Sequence, residues 1–370
     1  MTGPASNDAP AASTSAAVAA VRDALAAAGA DAFVHAARAD DPDLRYLLGS
    51  TPPDGPCAVV VDDDPVAFAP PPDRDGLAFD GAVRGVERVG AAAAARIDGA
   101  DTVLAPRHLP HDVALRVEGT GADLVSTGAL RDARARKTAA ERERTAAVAA
   151  AAERGVERVR TRLAAATVDA DGTLSLDGEA LDADRLWRAA AAALGESVTA
   201  ARLAGDAGAG PGATAVTSPD DPLRPGTPVV VTATPRGRDG YHAVLARTAA
   251  VDPEGGWERR AHVGVEAARR AALDAAEPGA SVARIREDLA GELGAFGLSP
   301  PGDARLVHGV GLARHEAPRP SDADLEPGHV LVVAPAAADE GRRVALADTL
   351  VVTDAGIEVL TDAPTRLTVE

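Results

Sequence analysis

Two histidines seven residues apart, His308 and His315, and a third at His242 are the side chains of this 370-residue chain best placed to do chemistry. Imidazole titrates near neutrality and ligates zinc readily. Three that converge would suit a single zinc ion, and two in contact would suit metal-free acid/base catalysis. The competing reading is inert: His308 and His315 are relics held in a glycine-rich turn, HGVGLARHEAP at 308–318, and His242 is an ordinary strand residue. Glu316 beside His315 spells H-E, but the second histidine of a zinc-protease helix is missing and Pro318 breaks any helix. Ser197 and Ser218 have no base nearby in the sequence, and Cys57 lies far from the histidines. Residues 205–212 lack the lysine of a phosphate loop and read as a hinge or surface loop. Asp339, Glu340 and Asp348 read as solvated turn and edge-strand charges, with Asp348 facing away from Ala347 on a strand.

Composition narrows the setting. Thirty-eight Lys plus Arg against 56 Asp plus Glu leave a net charge of −18, and Lys137 is the sole lysine. Such a surface repels nucleic acid and anionic membranes. Strong acidity with almost no lysine reads as adaptation to concentrated salt, where self-repulsion is screened. One cysteine permits neither an internal disulfide nor a C-x-x-C metal knot. Nothing resembles a leader or a membrane span, so a cytoplasmic protein is expected.

Elements that must position the histidines follow from periodicity. Residues 1–14 are expected to be a disordered tail. A helix over 16–28 ending at Gly29, strands at 32–35, 57–61, 65–68, 101–104 and 123–126, and helices near 91–96 and 109–116 describe a small α/β domain over 15–132. A long alanine-rich helix over 137–166, a second over 183–194 and a loop over 205–217 follow. Strands at 228–234 and 241–248 form a hairpin around 235–240, helices cover 257–276 and 282–296, and strands return at 306–310, 330–334, 344–352 and 356–360. The second domain, 133–370, therefore reads as α+β.

The order of landmarks resembles the M24 peptidases, the creatinase, aminopeptidase P and prolidase group with a pita-bread fold. In the first domain, GADAF at 29–33 and LRYLLG at 44–49 are similar to the family's G-x-D-A strand and R-Y-L-T-G turn, and Lys137 with Glu141 to its K-x-x-x-E helix entrance. In the second, RPGTPVVV at 224–231, DGY at 239–241, ART at 246–248, EPG at 277–279, VHGVGLARHEAP at 307–318, LEPGHV at 325–330 and ADT at 347–349 resemble the family's motifs in order. The resemblance implies a smaller creatinase-type α/β domain before a pita-bread domain, and a dimer.

It also implies two divalent metals, manganese, cobalt or zinc, held by two Asp, one His and two Glu. His308 matches the metal-binding histidine and His315 the second histidine, which contacts substrate. The carboxylate positions fall on Ala233 (or Thr232, if the hairpin carries an extra residue), Val244, Ala334 and Ala347, none of them acidic. Without four carboxylates, two cations would leave a buried charge of about +4, so no cofactor is expected. Replacement of all four by small or apolar residues retires a charged cluster without stranding one member, and the lost volume leaves room for a pocket. The expectation is a pseudo-peptidase binding a peptide, protein or small molecule in the old cleft, as a homodimer or paired with a related subunit. The alternative is an active hydrolase, or a creatinase-like metal-free amidinohydrolase, using His308 and His315.

Overall fold

Runs of valine and alanine broken by glycine and proline lay down the sheets of both units. A computed structural model describes residues 9–49, 54–77, 79–195, 198–207, 221–302, 305–321, 324–339 and 342–369. The chain divides into Met1–Glu141 and Arg142–Glu370.

The first unit holds α1 (Ala9–Ala28), β1 (Ala32–Ala37), α2 (Pro42–Leu48), β2 (Cys57–Val61), β3 (Val66–Ala69), β4 (Ala82–Gly85), α3 (Val89–Arg96), β5 (Thr102–Pro106), α4 (His111–Glu118), β6 (Asp123–Thr127) and α5 (Ala129–Ala135). Its six-stranded sheet has the order β4-β3-β2-β1-β5-β6, parallel from β1 through β5 to β6 and antiparallel between β1 and β2. Side chains alternate on β1. Ala32, Val34 and Ala36 enter a core with Val89 and Ala93 of α3 and Val113 and Val117 of α4. The opposite face, bearing Phe33 and His35, takes α1 and α2. α2 starts where Asp41 caps it, accepting the Leu44 N–H at 2.7 Å with Pro42 in the first turn, and stops at Gly49 in the left-handed region.

Helix α6 (Ala139–Ala164) leads into the second unit. There follow β7 (Thr167–Val168), β8 (Leu174–Leu176), β9 (Glu179–Ala180), α7 (Ala183–Ala193), β10 (Val198–Ala207), β11 (Val229–Gly237), β12 (Leu245–Ala249), α8 (Trp257–Ala275) and α9 (Val282–Ala295). The end is all β: β13 (Val307–Gly309), β14 (Val330–Val333), β15 (Ala336–Asp339), β16 (Arg342–Ala345), β17 (Asp348–Thr353) and β18 (Gly356–Val359). Two sheets dominate, β10-β11-β12 and β13-β14-β17-β18. The first lays Val229, Val231, Ala233 and Leu245 on Val156, Val159 and Leu186 of α6 and α7. The second lays Leu331, Val333, Leu350 and Val352 on Val265, Ala268, Ile285 and Leu289 of α8 and α9. Their other faces meet at an apolar seam of Val244, Ala246, Val310, Val330, Val332, Ala347 and Val351. Helices thus flank paired sheets, the layering of an α+β domain.

Several expectations need correction. α1 begins at Ala9, inside the segment read as a disordered tail; alanine's high helix propensity carries it there. α2 occupies what read as a turn, and β4, β10 and β15 were not anticipated. β10 covers 205–207, which read as the start of a loop, and 208–220 lie outside the described residues, as do Ser197, Ser218 and Glu340. Asp348 is not solvated but fully buried: it receives hydrogen bonds from Arg247 at 2.7 Å, from Arg269 and from Thr361. Burial opposes its charge, yet the two arginines prevail and hold the carboxyl below its ordinary range. No helix among the described residues is long and apolar enough to cross a membrane.

Candidate functional site

Strand β13 sets the position of His308. It pairs with β14 so that His308 lies opposite Val332, which puts the imidazole on the face of the inter-sheet seam. After Gly309 the chain folds back on itself: the Gly309 N–H donates to the Pro318 carbonyl at 2.7 Å and the Glu316 N–H to the Gly309 carbonyl at 3.0 Å. A Cβ at Gly309 would lie 2.2 Å from the Ala317 carbonyl oxygen, so only glycine fits where the two segments meet. This fold-back returns His315 to His308, with ring centroids 4.5 Å apart in an edge-to-face contact. Glu316 is buried beneath, accepting the Ala313 N–H.

The two rings sit among arginines. Burial is the largest influence on His308 and pushes its pKa down to about 4, with His315 and Arg305 adding to the depression. His315 is lowered by burial and then by Arg305, Arg314 and Arg319. His242 is likewise pushed down to about 4, by burial and then by Arg236 and Arg314. All three imidazoles are therefore neutral at pH 7. The His242 N–H donates to the Gly311 carbonyl at 2.8 Å, which tethers its segment to the His308 turn. Its ring does not join the other two at ligand distance. Among the described residues, the three His, Cys, Asp or Glu side chains whose ligand atoms lie within 4.8 Å of one another are His35, Asp41 and His108, in the first unit.

The four substituted positions can be placed one by one. Val244 and Ala347 belong to the seam, and Ala334 packs against it on the same face of β14 as Val332. Thr349 clamps Val244, accepting its N–H and donating to its carbonyl, both at 2.9 Å. Ala233 departs from this set. It pairs with Leu245 and packs toward α6 and α7, whereas Thr232 pairs with Ala246 of the seam. The residue of β11 that faces His308's side of the sheet is thus Thr232, one step earlier than Ala233, because strand parity reverses faces at every residue. Arg247 binds the two sheets from behind, donating to the carbonyls of Ala246 at 2.8 Å and Ala347 at 2.9 Å. Ala347 and the partly buried Ala334 pack in this cluster with Val330, Val332 and Val351.

Residues 184–354 match the model of metallopeptidase family M24. The second unit is therefore M24-like over the matched residues. Its fold is the pita-bread fold, as solved structures along nearly the whole chain bear out. A prolidase from Pyrococcus horikoshii OT3 superposes with a TM-score of 0.80 at 16% identity, covering 95% of this chain and 99% of its own. The dipeptidase PepE from Mycobacterium ulcerans gives 0.79 at 24% identity, over 99% and 100%. An Xaa-Pro dipeptidase from Bacillus anthracis gives 0.80 at 18%, over 96% and 99%. Curated protein sequences yield no match.

Sequence reasoning missed the His35, Asp41 and His108 group. Its members lie on a strand, at a helix cap and in a loop up to 73 positions apart, and no local spacing rule links them.

Proposed function

We propose that this M24 protein is a pseudo-peptidase, which uses the fold of its relatives to bind rather than to hydrolyse. The observation that supports this reading is the seam itself: Val244, Ala334 and Ala347 pack in it, Thr232 pairs with its Ala246 and His308 with its Val332, and none of the four positions carries a carboxylate. These residues do not fit a dinuclear centre, because roughly four positive charges would face an apolar wall at a cost of many kcal/mol. The role that remains is capture of a peptide, a protein or a small molecule in the cleft, by a homodimer or by a pair with a related, active subunit.

Hydrolysis of X-Pro dipeptides, the class named for the Bacillus anthracis relative, is the direct test. With manganese or cobalt added in high salt, the chain is expected to show no turnover above buffer. Turnover that requires metal and disappears in His308→Ala would overturn the proposal. A second reading rests on the edge-to-face contact of His308 and His315. Two neutral imidazoles in contact are a metal-free acid/base pair in waiting. Hydrolysis of a peptide or amidine that persists in chelator and is lost in both His308→Ala and His315→Ala would support it instead.

A further inference from the structure

The first unit contains a constellation of its own. His35 on β1 points its Nε2 at Oδ1 of Asp41, 2.9 Å away, and His108 after β5 points its Nε2 at Oδ2 of the same carboxylate, 3.0 Å away. The imidazoles meet edge to face, 5.0 Å between centroids. Two nitrogens thus flank one carboxylate, and all three ligand atoms lie within 4.8 Å of one another. Behind them, Asp43 stands 3.6 Å from His108 Nε2 and is fixed by Arg134 at 2.8 Å.

We infer that His35, Asp41 and His108 form a binding site for a zinc-type divalent transition ion in the first unit, independent of the M24 cleft. Imidazole nitrogen with carboxylate oxygen is the donor set that zinc takes, and bonds of about 2.0–2.2 Å place neighbouring ligands near the separations seen here. His35 is fully buried and Asp41 is held by the α2 cap, so two ligands are rigid. His108 is half-exposed, so its side of the group faces solvent.

His35 Nδ1 is buried with no hydrogen-bond partner, at a cost of about 1–3 kcal/mol, and the ring's polar contact is made at Nε2, on the side of the carboxylate. Asp41, though neither His35 nor His108, lines a neighbouring crevice of about 730 Å³ at the carboxyl end of β1, together with Arg38, Arg88, Asp112 and Arg116. After β1 the chain leaves to the face of α2, and after parallel β5 to the face of α4. That divergence is a topological switch point, where open α/β sheets hold their ligands.

Zinc itself is the probe. The full-length chain, stripped with chelator and returned to metal-free high-salt buffer, is expected to bind one equivalent of zinc by calorimetry, and cobalt in its place is expected to give ligand-field bands of low symmetry. His108→Ala and Asp41→Asn should each weaken binding at least about tenfold, while His308→Ala should leave it unchanged. In the unmutated chain, bound zinc should also protect His108 from diethyl pyrocarbonate, read by peptide mass mapping, so the answer survives a variant that fails to fold. No zinc binding, binding undiminished in both folded variants, or His108 modified equally with and without zinc would overturn the inference. Zinc lost only in His308→Ala would overturn the pseudo-peptidase reading as well, whereas X-Pro turnover with zinc still held by His108 would overturn that reading alone.

Discussion

A single methyl-bearing side chain decides what the M24 cleft of this protein tolerates. Val244 is buried in the seam, so Val244→Asp would set a carboxylate among Val330, Val332 and Val351 with no cation to meet it. Loss of about 2–5 kcal/mol of stability is expected in urea unfolding, unrelieved by manganese. Stabilisation of the variant by manganese would mean that the seam still assembles a metal site. The histidines give a second test through pH. His242 and His308 hold folded-state pKa values near 4 against an ordinary 6.5, so between those limits the unfolded chain takes up protons that the folded chain refuses. Their contribution is complete above about pH 6.5, falls as pH drops toward 4 and is flat below, on the order of 3 kcal/mol each. Stability measured across that window should slope less in His308→Gln than in the parent.

Elements are held in place by polar contacts that periodicity does not disclose. Arg247 on β12 and Arg269 on α8 converge on Asp348 of β17, with Arg247 and Asp348 almost wholly buried. Asp348→Asn removes the negative charge but leaves both guanidiniums, and the uncompensated cation inside should cost about 3–5 kcal/mol. Thermal unfolding checks it; a shift inside experimental error would show that solvent reaches Arg247. The ART segment at 246–248 and the ADT segment at 347–349 are visible as motifs, yet the pairing of Arg247 with Asp348 is not. A charge one residue from an alanine on a strand points to the opposite face, and whether that face meets water or α8 depends on a helix 79 positions away in the chain. The same limit explains Ala233 against Thr232. Motif spacing located β11 to within one residue, and parity then placed the two on opposite faces.

At the scale of the molecule, a net charge of −18 is a force on the whole fold. Unfolding midpoints are expected to rise steeply as salt increases from dilute buffer toward molar concentrations, because screening shrinks the repulsion among carboxylates from a range of about 30 Å to about 3 Å. Full stability in dilute buffer would remove salt adaptation from the account of this composition. By itself the sequence determined the class of both units, the positions of most helices and strands, and the M24 resemblance of the second. These are local facts: periodicities of 3.6 and 2, glycine and proline stops, residue types at ordered landmarks. Tertiary structure alone decided that valines and alanines form the seam beside His308, that Thr232 rather than Ala233 pairs into it, and that Asp348 is buried. It alone brought His35, Asp41 and His108 together, because ligand sets assemble where a sheet's strands end, and sequence distance carries no record of which ends become neighbours.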